Sequence, residues 1–266
     1  MFNLDNCLYL KDKKLYEEIS LIASKIYLRY SIPNNPSAMK AMIKQYAKAN
    51  DVHVKILYVP LNDTQLWGIF YQLDGIYFIV INSEISINKQ VVALAHEFYH
   101  FYSSVEENMV PLDILSDNIE SDNIEDKKAD AFAACYLMPE LILKSSLQQP
   151  FSLEEKLLQI KLLMDAFIVP YKTAAIRLME IGYISKEECL TFIDATTRDL
   201  RDILERVNSS KESRWDFINK NLIELDDLDN LLYINENLEL MSSKKLKKQK
   251  EIVDKIKKEL KGENNN

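Results

Sequence analysis

The run Ala95-His-Glu-Phe-Tyr-His100 constrains this chain more than any other feature. It holds two of the three histidines in the protein. On an α-helix, positions i and i+4 lie one above the other on a single face, so His96 and His100 can both reach one metal ion. Glu97 sits beside them, suited to take a proton from water at that metal. The pattern is expected by chance roughly 0.003 times in a chain of this composition, so coincidence explains it poorly. A catalytic zinc usually takes three protein ligands and leaves a fourth position open, so a second element must approach this helix.

Only 4 of the 266 residues are glycine, which disfavours glycine-rich phosphate loops and favours a helix-dominated fold with few tight turns. The chain is 47% apolar and 28% charged, as expected of a globular protein. No apolar run is long enough to span a bilayer, the longest candidate being Ile76–Ile81, so no membrane association is expected. The N-terminus lacks a basic stretch followed by an apolar core, so no signal peptide is expected. Cys7, Cys135 and Cys189 make no pairing framework, and with these points a cytoplasmic location is expected. The net charge of −8 opposes nucleic acid as a direct ligand.

Hydrophobic spacing predicts helices over 14–30 and 37–50. Alternating, β-branched stretches follow at Val52–Val59, Thr64–Leu73 and Ile76–Asn82, with Asp74-Gly75 as a hairpin signal between the last two. This predicts a small three-stranded sheet leading into an HExxH helix over 88–103. An acidic stretch from 104 to about 124 reads as a loop. Helices are predicted again at 124–137, 153–167 and 171–181. Residues from about 186 to 262 read as helical and charged, with nine lysines against three acids between Lys244 and Lys261. That tail predicts a solvated amphipathic helix with Ile252, Val253, Ile256 and Leu260 as its apolar stripe. The fold class is therefore α+β and mainly helical. Residues 1–185 are expected to form one domain with its core at 40–185, and 186–266 a helical, lysine-rich extension.

The third ligand is sought on the 124–137 helix, where Glu125, Asp126 and Asp130 are available. Asp126 and Asp130 share a helical face, so one can bind metal while the other hydrogen-bonds a ligand histidine and sets its tautomer. His53 reads as a strand or surface residue. Cys135, Phe132 and Leu137 read as core. Residues 157–182 superficially suggest a helix-turn-helix DNA reader presenting Lys172, Thr173 and Arg177, but carry too little positive charge, and a packing role is expected.

His-Glu-x-x-His at 96–100, then Asp126-Lys-Lys-Ala-Asp-Ala-Phe-Ala running on to Leu137-Met-Pro139, resembles the ImmA/IrrE family of metallopeptidases. The segment Phe167–Gly182 resembles that family's downstream region. The resemblance implies a zincin-like metallopeptidase holding Zn2+ through His96, His100 and Asp126. Glu97 would be the general base, and Asp130 the acid that supports a ligand. The family favours Glu at the third-ligand position, where this chain has Asp126. Either the two helices approach more closely, or Glu125 turns in as an alternative ligand, or the site is weaker. Tyr99 also stands where the family commonly has glycine. The resemblance further implies a regulatory protease that acts on a protein partner such as a helix-turn-helix repressor and controls mobile elements or stress responses. The competing expectation is a catalytically weak regulatory or toxin–antitoxin-type binding protein that keeps the same fold.

Overall fold

The structure, a computed structural model, describes residues 4, 7–30, 36–107, 124–147, 152–194, 215, 217–218, 222–238 and 240–261. A single turn of helix, α1 (Leu8–Lys11), precedes α2 (Lys13–Tyr30). α2 buries Tyr16, Ile19, Ala23 and Ile26 at the three-to-four spacing of an amphipathic helix. α3 (Pro36–Ala49) opens on a proline, whose missing N–H matters little in a first turn, and buries Met39, Met42, Ile43 and Tyr46.

Three strands follow: β1 (His53–Val59), β2 (Gly68–Leu73) and β3 (Ile76–Asn82). β2 and β3 form the expected hairpin. Asp74 and Gly75 at its turn both have positive φ, 50° and 78°, which matches the twist of the flanking strands. β3 also runs parallel to β1, with Ile79 opposite Ile56. β2 starts at Gly68 and not at Thr64, because the buried Asn82 side chain donates to the carbonyls of Asp63 and Leu66, 2.8 Å away in each case, and turns that stretch into a loop.

Among the described residues the sheet has four strands and not three, in the order β2-β3-β1-β4. β4 (Glu224–Leu225) comes from the region expected to be wholly helical and pairs antiparallel with β1 through Leu57 and Leu225. Ion pairs explain its position. Lys40 meets Glu224 at 2.5 Å, and Asp226 meets Lys44 at 2.8 Å and Lys55 at 3.1 Å, so this segment is drawn onto α3 and β1.

Val54, Ile56, Tyr58, Tyr77, Ile79 and Ile81 alternate along β1 and β3 and enter the core. α4 (Ile87–Glu107) packs on β2 and β3 and on α5 (Ile124–Leu137). α4 runs four residues past the predicted end at 103; the remainder of the expected acidic loop, 108–123, lies outside the described residues. Between two layers, α4 buries residues nearly all round: Val92, Ala93, Leu94, Ala95, Phe98 and Phe101 are each fully enclosed. α5 in turn packs on both α4 and α2, and buries Ala129, Ala131, Ala133 and Ala134, whose small side chains let it lie close to its neighbours. Phe132 of α5 meets Phe98 and Tyr99 of α4 with ring centroids 5.9 Å and 5.4 Å apart.

α6 (Glu140–Ser146), α7 (Leu153–Phe167), α8 (Tyr171–Glu180) and α9 (Lys186–Asp194) follow. α7 begins with a capping box between Ser152 and Glu155. Thr173 and Arg177, two of the DNA-reading candidates, are both 1% exposed. Arg177 donates to the Met138 carbonyl at 3.0 Å, to the Tyr16 hydroxyl at 2.5 Å and to Glu180 at 3.0 Å. Tyr16 donates to Glu180 in turn, at 3.0 Å. This network joins α2, the end of α5 and α8, which is the packing role expected of the segment.

The lysine-rich tail forms an antiparallel pair of helices, α10 (Leu228–Asn237) and α11 (Ser243–Leu260). The predicted apolar stripe of α11 is only partly correct. Leu246 and Val253 pack with Leu232 of α10, whereas Ile252 and Ile256 are 49% and 39% exposed. Lys250 pairs with Glu236 and Lys257 with Asp229, each at 2.7 Å. Leu246, Lys250, Val253 and Lys257 recur at helical spacing on the face toward α10, and Ile252 and Ile256 fall beside that face.

Candidate metal centre

His96, Glu97 and His100 project from the middle of α4, and Asp126 and Asp130 from the first half of α5. His96 and Glu97 are 6% and 5% exposed. The Nε2 atoms of His96 and His100 lie 3.2 Å apart. Oδ1 of Asp126 lies 3.5 Å from His100 Nε2 and 3.9 Å from His96 Nε2. Two ligands on a tetrahedral zinc with bonds near 2.0–2.1 Å stand about 3.3 Å apart, so three atoms at these separations fit one such ion. Among the described residues, these three side chains form a group able to hold a metal.

Asp130 does not join that triangle. Its Oδ1 lies 2.8 Å from Nδ1 of His96. Nδ1 therefore carries the proton that Asp130 accepts, and Nε2 keeps its lone pair free toward Asp126 and His100. Glu125, the alternative ligand, pairs with Lys128 at 2.6 Å instead. One step along a helix turns a side chain by about 100°, so Glu125 and Asp126 cannot both face α4. Close packing of the two helices lets the shorter aspartate reach the histidines.

The electrostatics are those of a half-buried polar cluster. Burial pushes the Glu97 carboxyl above its usual range, against the lowering pull of His96 and His100. Burial alone would lower His96, but the hydrogen bond and charge of Asp130 outweigh it, and the imidazole lies above its ordinary value. The hydrogen bond from His100 holds Asp126 below the carboxylate range, against partial burial.

The peptidase M78 model, described as the IrrE N-terminal-like domain, matches residues 49–179. The chain belongs to the ImmA/IrrE family of metallopeptidases. The matched stretch contains all five of these side chains. None of the curated proteins compared matches the chain. Family membership supports a peptidase and agrees with a metal at the histidine–aspartate group. Among the described residues, no helix of this ImmA/IrrE protein is long and apolar enough to cross a membrane.

Other residues take the places expected of them. Cys135, Phe132 and Leu137 are core, and His53 is exposed on β1. Tyr99 is buried, with its ring against Phe132 and His100. Sequence reasoning missed two residues of β2. Phe70 lies nearly parallel to the His100 ring, at 14° and 6.3 Å between centroids. Gly68 abuts Glu97: a Cβ at position 68 would fall 2.7 Å from its Oε1. The available signal was a glycine inside a strand pattern, which often marks close approach of another group.

Proposed function

We propose that this protein is a zinc-dependent endopeptidase of HExxH type that regulates a protein partner by cleaving it. The observation that carries the reading is the 2.8 Å contact between Asp130 and Nδ1 of His96, which turns the His96 Nε2 lone pair toward His100 and Asp126, the two side chains that would share the ion with it. His96, His100 and Asp126 would hold the zinc. When bound, it supplies Lewis acidity at a peptide carbonyl. Glu97 accepts a proton from the attacking water. Its raised affinity for protons suits it to keep that proton until it passes to the leaving amine. Asp130 holds His96 in one tautomer throughout. Among the described residues β2 is the edge of the sheet, and an extended peptide adding to it would lie alongside α4. The resemblance to ImmA/IrrE proteins supports an intracellular substrate such as a helix-turn-helix repressor.

The second reading is a regulatory or toxin–antitoxin-type binding protein with little hydrolysis. It is favoured by the exposure of the third ligand, since the Asp126 side chain is 62% exposed. Metal analysis and one substitution separate the two. The peptidase reading expects about one zinc per chain in protein purified without chelator. It also expects Glu97→Gln to keep the zinc while cleavage of the partner is lost. Partner inactivation that survives Glu97→Gln would favour the binding protein.

A further inference from the structure

We infer that Gly68 and Phe70 of β2 are positioning residues for the metal helix: the missing side chain at 68 gives the Glu97 carboxylate its place, and the Phe70 ring holds His100. The inference rests on the reading of Glu97 as general base for its kinetic consequence, and on geometry alone for the rest. Residues 68 and 70 are two apart on a strand, so they share the face turned toward α4. Phe70 packs there against Tyr77, His100 and Phe101, with centroids 6.0 Å, 6.3 Å and 6.3 Å away.

Gly68 is needed for space and not for backbone freedom. Gly75 and Gly182 have φ of 78° and 75°, a region that favours glycine, whereas Gly68 does not lie in that region. A Cβ at Gly68 would instead stand 2.7 Å from Oε1, 2.8 Å from Cγ and 3.1 Å from Cδ of Glu97. All three are atoms of one side chain. The strand itself cannot yield easily. Gly68 pairs with Ile81 in the β2–β3 ladder, and the Trp67 carbonyl accepts from the Asn82 amide at 3.0 Å. Asn82 also grips the loop just before it through the carbonyls of Asp63 and Leu66. Strand and helix are both held by backbone hydrogen bonds, whereas the Glu97 carboxylate turns on its own side-chain torsions. Any side chain added at 68 is thus accommodated by moving that carboxylate.

The test is a pair of substitutions with different expected signatures, read on zinc-loaded protein. In a crystal structure of Gly68→Ala, the Glu97 carboxylate is displaced while β2 and α4 stay in place. Zinc affinity of this variant stays within about threefold of wild type, because Glu97 is no ligand. Cleavage of a quenched-fluorescent peptide library falls about a hundredfold in kcat with KM little changed, as for a misplacement near 1 Å. Adding Glu97→Asp shortens the carboxylate and makes room, so Gly68→Ala costs much less in that background and the two effects are not additive. Phe70→Ala weakens zinc binding about tenfold, and Phe70→Tyr, which keeps the ring, restores it. The inference is overturned if the Gly68→Ala structure shows Glu97 unmoved, or if the strand shifts in its place. Additive kinetics, or zinc binding indifferent to Phe70→Ala, would overturn it as well. A wild-type protein that binds zinc and cleaves nothing, while Gly68→Ala still displaces Glu97, removes the peptidase reading and leaves the positioning intact.

Discussion

Oδ1 of Asp130 stands 2.8 Å from Nδ1 of His96, on a different helix and 34 residues away in sequence. The contact fixes the tautomer of His96, the proposed ligand, and it ties the rotation of α5 to that of α4. Asp130→Asn keeps the shape but removes the charge that holds the imidazole proton. Zinc affinity is expected to fall by about 10–100-fold, measured by competition with a chromogenic chelator. An unchanged affinity would show that the contact plays no part in metal binding.

Zinc bound only by the folded state must also stabilise it. At a free concentration 100 times Kd the gain is about 2.7 kcal/mol. Adding a chelator is therefore expected to lower the melting temperature of the wild-type protein. The same addition should leave a His96→Ala/His100→Ala variant where it was. Equal shifts in both proteins would mean that the chelator acts elsewhere.

Arg177 and Glu180 form a buried ion pair with side chains 1% and 3% exposed. Truncating one partner strands the other charge in the core, so Arg177→Ala is expected to cost about 3–5 kcal/mol in urea unfolding. Removing both charges as Arg177→Met/Glu180→Leu should cost less than either single change, because no uncompensated charge is left. A double variant as unstable as the sum of the singles would contradict this.

Asp226 anchors β4 through Lys44 and Lys55. Burial works against its charge, but the two lysines outweigh burial and hold the carboxyl below its ordinary range. A carboxyl whose folded value is depressed binds its proton more readily in the unfolded chain. Its stabilising contribution is thus complete above the unfolded value of about 3.9 and is lost as pH falls through the lower folded value. The stability gap between wild type and Asp226→Asn is expected to be constant near neutrality and to narrow only below about pH 4. A gap that narrows between neutrality and about pH 5 would rule out this cause.

Much of this protein was legible in its residues because the signals are local. The spacing of His96 and His100, the alternation along β1 and β3, the Asp74-Gly75 turn and the helix over 124–137 each follow from periodicity within a few neighbours. The same patterns could not say whether Glu125 or Asp126 faces the histidines. That depends on how α5 is rotated, which is set by Ala129, Phe132 and Ala133 packing against other helices. Nor could they reveal β4, whose two residues reach β1 from the far end of the chain through ion pairs. The exposure of Ile252 and Ile256 is illegible for a similar reason, since which part of the apolar face of α11 meets α10 depends on the packing of Leu246 and Val253 against Leu232.

The residues alone determined the chemistry on offer: two imidazoles and a carboxylate on one helical turn, with three acids on a second helix to choose from. Tertiary structure decided the allocation, giving Asp126 to the histidine pair, Asp130 to the back of His96 and the space at Gly68 to Glu97. Helical and strand repeats are written by neighbours in sequence, whereas which atoms meet across two packed elements depends on their rotation and separation, and these emerge only when the whole core is filled.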